Sequence, residues 1–274
     1  MYDNFSSEES RRELSEFFRE LQTKAKNTFE KNKNLFGEKS KYPIDEETIK
    51  RVPYIRFAGF TKMQCQRIQT LEKMLLTISK EYNNSNEVAL TYRLDGEQFS
   101  NGTERIAVAY GSEGRVELFS DDKTKKLFET SKELAIILMH NQPNNTSFSF
   151  NDLNLFYHHD EIRLFIVITN SGLVRSISRD DLFLKESAFN NLLNLLNKNI
   201  EEFSKVTMDD IVISKDNAVI AHKVMQKWLK SLDRFGLNYQ EGDANNGETE
   251  KSRRQKSSSR RKEYVSRRSN RQGR

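Results

Sequence analysis

The chain is poor in cysteine, proline and tryptophan: among 274 residues it has one Cys, three Pro and one Trp. The lone Cys65 excludes an internal disulfide framework and a zinc site built from several cysteines, and it suits a reducing compartment. No apolar run approaches the roughly 20 residues of a membrane helix, so no membrane span is expected. The opening "MYDNFSSEESRREL" lacks the basic-then-apolar order of a secretory signal, which points to the cytoplasm. Histidine is scarce as well, with four residues.

What is abundant is charge, and it is unevenly placed. Residues 251–274 hold 11 Lys/Arg and one acid, a net of +10; the other 250 residues hold 34 bases and 39 acids, a net of −5. A mildly acidic body thus carries a basic segment, "KSRRQKSSSRRKEYVSRRSNRQGR". Cations at this density neutralise phosphates and release counterions, giving salt-sensitive, sequence-independent binding. Arg253, Arg254, Arg260, Arg261, Lys262, Arg267, Arg268 and Arg271 are the candidate contacts, and only Tyr264 there can stack on a base. The expected partner is nucleic acid or another polyanion. A solubilising end and docking to an acidic protein are the alternatives.

Apolar periodicity divides the rest. Residues 6–36 place Leu14, Phe17, Phe18, Leu21, Ala25 and Phe29 at helical steps. That predicts an N-terminal helix, packed on the main domain or serving as an arm for a protein partner. Residues 61–82 read as a second amphipathic helix, stopped by "NNSN". The period then falls to two: "EVALTYRLDG" is a strand and turn, and "RIAVAYGSEGRVELF" reads as two strands around Gly111 to Gly114. "LAIILMH" is a buried strand, "FNDLNLFYHHDEI" a short helix, and "RLFIVITNSGLVRSIS" strand, turn and strand. Helices follow at "AFNNLLNLLNKNIEEFSKV" and at 215–233. Residues 239–274 are too polar to offset their ordering entropy, and disorder is expected there. The expected organisation is a helical arm at 1–59, an α+β domain at 60–205, a helical extension at 206–238 and a basic tail at 239–274.

Between two apolar stretches lies "MHNQPNNTSFSFND". It reads His140-Asn141-Gln142-Pro143, then Ser149-Phe150-Asn151-Asp152. This pattern, with Glu87 opening an upstream strand, resembles the JAB/MPN (JAMM) metalloprotease-like superfamily and the related RadC-type domain, over about residues 60–180. The wording of the stretch is most similar to members carried by phages and mobile elements of low-GC Gram-positive bacteria. The resemblance implies a JAB/MPN-like (cytidine-deaminase-like) mixed sheet flanked by helices. It also implies His140, position 142 and Asp152 as zinc ligands, Ser149 steadying the oxyanion or the zinc-bound water, and Glu87 as general base. Glu104, which opens another strand, is the alternative to Glu87.

The departure is Gln142, where the family has its second His. An amide oxygen is a far poorer zinc ligand than imidazole, so zinc is expected to be bound weakly or not at all. His158 and His159 lie about two helical turns from Asp152 and read as a solvated helix end, a substitute zinc ligand being the alternative; His222 reads as a surface or packing residue. The resemblance with this departure implies an inactive or attenuated domain acting as a structural or binding protein, associated with a virion or nucleic acid in a bacterial host. An active zinc (iso)peptidase and a nucleic-acid-binding protein working mainly through its tail are the rivals.

Overall fold

A computed structural model describes residues 41–94, 105–144, 146–200 and 218–242. The N-terminal helix, Glu104 and the basic residues of 251–274 lie outside them. The described chain is α+β, a six-stranded mixed sheet with helices on both faces.

The strands are β1 (Val88–Arg93), β2 (Ile106–Tyr110), β3 (Ile136–Gln142), β4 (Ile162–Thr169), β5 (Val174–Ser178) and β6 (Asn238–Gly242), in the order β2-β1-β3-β4-β5-β6. β3 and β4 run parallel and every other pair is antiparallel. The parallel pair is central, and this explains its composition: "IILMHNQ" and "IRLFIVIT" are covered on both faces. The turn from β4 to β5 runs through Gly172 at a φ of 89°, a left-handed conformation that costs glycine nothing.

The helices are α1 (Glu46–Arg51), α2 (Lys62–Tyr82), α3 (Asp122–Thr130), α4 (Phe150–His158), α5 (Leu182–Asn199) and α6 (Ala218–Leu229). α2 starts at a capping box in which Thr61 and Gln64 satisfy each other's backbone N–H groups. Its Ile68, Leu75, Leu76 and Ile78 pack with Ile137, Met139, Leu164 and Ile166 on one face of the sheet. On the other face Leu138, Phe165 and Val167 meet Leu153 and Phe156 of α4, Phe189 and Leu192 of α5, and Trp228 of α6.

Several expectations are corrected. Residues 41–59 are no separate arm, because Ile44, Ile49, Val52, Ile55 and Phe57 are buried in the core shared with α2. The described part of the 206–238 extension, from Ala218, is helical and packs on the core. Trp228 is fully buried and its Nε1 donates to the carbonyl of Ala188 at 2.9 Å. The polar tail does not begin at 239, because "NYQEG" pairs with β5 as the edge strand β6. An edge strand needs only one partner and tolerates polar side chains, so its sequence carries no apolar alternation. Residues 115–119 do not return as a strand beside β2; after a turn in which Ser112 N–H donates to the Arg115 carbonyl, the chain enters a 3-10 turn at Leu118–Ser120.

Candidate functional site

Three of the residues singled out by sequence meet at one point. His140 sits near the end of β3, paired with Ala89 of β1 and Val167 of β4. Its alternation with Leu138 turns its ring to the α4 face. Glu87, just ahead of β1, lies with Oε1 at 3.0 Å from His140 Nδ1, and Asp152 of α4 lies with Oδ1 at 3.1 Å from His140 Nε2. Nδ1 also lies 3.3 Å from the carbonyl oxygen of Asn141. The Nε2 contact is an ion-pair contact off the axis of an ideal hydrogen bond, and Nε2 has no other partner. The imidazole is 3% exposed and Glu87 5%, so these charges interact with little screening by water.

Burial pushes His140 toward its neutral form, but Asp152 and then Glu87 outweigh it and hold the imidazole pKa well above the usual histidine value. A neutral imidazole has one N–H and can donate to only one neighbour; acidic oxygens at both nitrogens favour the doubly protonated ring. For Asp152 burial acts to raise the pKa, while His140 and the hydrogen bonds from Ser149 act to lower it, and the balance lies below the ordinary aspartate value.

Local chemistry fixes Asp152. Ser149 is the N-cap of α4 and Asp152 its third helical residue, a reciprocal capping box. Asp152 N–H donates to Ser149 Oγ at 3.1 Å, while Asp152 Oδ2 accepts from Ser149 N–H at 2.6 Å and from Ser149 Oγ–H at 2.7 Å. The Ser149 hydroxyl therefore faces Asp152 and is not paired with His140, so no Ser-His nucleophile is formed. The far end of α4 is held by Arg179, whose Nε donates to the Ile162 carbonyl at 2.8 Å, Nη1 to Phe156 at 3.0 Å and Nη2 to His159. Burial pulls this guanidinium down to about 10, and the nearby Asp160 and Glu161 oppose it only in part.

The partners that set β3 against β1 were not singled out by sequence. Asn141, facing α2, accepts from Val88 N–H at 2.7 Å and donates to Asn170 Oδ1 at 2.8 Å, the Asn86 carbonyl and Ser79 Oγ. Asn170 in turn donates to the carbonyls of Tyr42 at 2.7 Å and Ser85 at 2.9 Å. This buried amide pair ties the start of β1, and with it Glu87, to the end of β3. An Asn inside an otherwise apolar strand was the available signal.

Gln142 does not join the cluster through its amide nitrogen, which donates to Thr146 Oγ1 at 2.7 Å and braces the loop after Pro143. His158 and His222 are exposed, as expected for surface residues. His159 is instead half-buried against Phe119 and Phe128, each ring centroid 5.1 Å away.

As a fit for zinc, His140 Nε2 and Asp152 Oδ1 are two donors on one side. Glu87 sits at the opposite ring nitrogen and cannot share an ion with them in this pose. A catalytic zinc takes about three protein ligands, and no group of three or more His, Cys, Asp and Glu able to hold a metal occurs among the described residues. A cavity of about 450 Å³ opens against the cluster, between residues 114–119 and α4. Compared with known proteins, the chain matches no family model, no curated protein and no solved structure.

Proposed function

We propose that the chain is a JAB/RadC-like domain without zinc hydrolysis, acting as a binding or structural protein of a phage or mobile element, with a tail that binds nucleic acid or another polyanion. The supporting observation is the state of His140. Its ring is flanked at both nitrogens by carboxylates, while the amide nitrogen at position 142 is turned to Thr146. In this reading the imidazole, not a metal, holds the two carboxylates together, and the cavity beside them is a binding pocket.

One observation favours the rival zinc (iso)peptidase. Two ligands at the usual 2.0–2.1 Å from a tetrahedral zinc lie about 3.3 Å apart, close to the 3.1 Å between His140 Nε2 and Asp152 Oδ1. Elemental mass spectrometry on the full chain, purified without a metal-binding tag or chelator, separates the readings. The expected result is well under one zinc per chain, with Gln142→His raising zinc affinity by about tenfold or more. Near one zinc per chain, lost in His140→Ala, would overturn the proposal.

A further inference from the structure

The cavity beside the cluster has a definite chemistry. One polar atom on its walls that is shut off from water accepts no hydrogen bond, the amide oxygen Asn154 Oδ1. An unpaired acceptor of this kind calls for a ligand that donates a hydrogen bond. Two carboxyl groups, Glu87 and Asp152, stand beside the single imidazole of the cluster. Arg115 and Glu117 at the wall neutralise each other at 2.6 Å. The remaining wall is mixed: Val116, Leu118, Phe119 and Leu155 form an apolar side, and Asn151, His158 and His159 a polar one. The volume of about 450 Å³ lies within the range of small-ligand sites.

We propose that this cavity, the pocket of the reading above, binds one ammonium or guanidinium group carried on an aliphatic stem, as on a lysine or arginine side chain. The cationic head meets Asp152 and Asn154 Oδ1, and the stem lies along Leu118, Phe119 and Leu155. The chain contains such groups within reach. Gly242 pairs with Val174, Val174 with Ile168, and Ile168 with Asn141. β6 therefore ends in the row next to His140, three strand spacings or about 14 Å away. Eight residues separate Gly242 from Lys251, a span of up to about 26 Å when extended.

The test is a titration of the full chain with n-butylguanidine and n-butylamine, and with 1-butanol as the neutral counterpart. It is followed by the NMR signal of the His140 Hε1 proton, assigned by its loss in His140→Gln. The expected result is a saturable shift with both cations and none with the alcohol, weakened about tenfold in Asp152→Asn, which retains an oxygen to cap α4. Asn154→Leu, which leaves the ion cluster intact, weakens binding as well. A signal displaced by deleting 251–274, and restored by n-butylguanidine, assigns the ligand to the chain's own tail; equal titrations with and without the tail assign it to another peptide. No saturable shift in either the full chain or the chain lacking 251–274, equal binding of the alcohol, or wild-type affinity in both variants overturns the site. A zinc-free chain giving any of these loses the cation site alone, whereas a zinc-loaded chain loses the reading on which it rests.

Discussion

At the scale of single residues, His140 and Asp152 make stability depend on pH from both sides. The folded pKa of His140 is raised, so its contribution is complete below the ordinary histidine value of 6.5 and is lost as pH rises through the folded value. The folded pKa of Asp152 is lowered, so its contribution is complete above the ordinary 3.8 and is lost as pH falls through the folded value. Both are fully present only between those two ordinary values. Urea unfolding of the wild type and His140→Gln across pH 5 to 9 checks this. The stability difference between them is expected to be largest near pH 5–6 and to shrink as pH climbs through the raised value. A difference constant over that range would mean that the ring is not held as an imidazolium. His140 and Asp152 were legible in the sequence because a strand end and a helix start place them; Glu87 entered only through the family resemblance, with Glu104 as its alternative. Gln142 was legible only as a departure: its identity could show a weak ligand, not that its amide nitrogen braces a loop.

At the scale of elements, α2, β1, α4, β5 and α5 were readable from an apolar period bounded by a cap or turn, and β3 and β4 from continuous apolar runs of strand length. β6 and α1 were not. α1 is six residues long, too short for a period to register, and β6 draws its stability from backbone pairing with β5 rather than from an apolar face. Arg179 was invisible for another reason. Its role is set by carbonyls of residues 156, 159 and 162, which no side-chain pattern announces. Those carbonyls belong to the end of α4 and the chain just beyond it, where a cation opposes the helix dipole. Lys185 adds a second, donating to the Tyr157 carbonyl at 2.5 Å. Arg179→Met removes the guanidinium from over the Phe156 ring and strands the buried carbonyls of Phe156 and Ile162, while the His159 carbonyl keeps the Ile162 N–H, so a loss of about 2 kcal/mol or more is expected in urea unfolding. A loss below about 1 kcal/mol would show that water or a neighbouring donor replaces the guanidinium.

At the scale of the whole molecule, the division of charge is the dominant feature. A body of net −5 repels phosphate, so any affinity for nucleic acid must come from the +10 of residues 251–274. Base-edge readout needs side chains held in fixed positions against a groove, and charge density alone supplies none. Binding to a duplex is therefore expected to ignore sequence and to respond steeply to salt. With about five of the cations on phosphates, the slope of log K against log salt is about −4.5, or about a 500-fold loss between about 50 and 200 mM. Fluorescence anisotropy with a labelled duplex measures this slope for the full chain, for a chain lacking 251–274, and for one in which those residues are shuffled. Deletion is expected to abolish binding at moderate salt and shuffling to preserve it, because counterion release depends on how many charges are engaged rather than on their order. Binding that survives the deletion would place a phosphate site on the acidic body, and binding lost on shuffling would mean that the order of the tail residues carries recognition of its own.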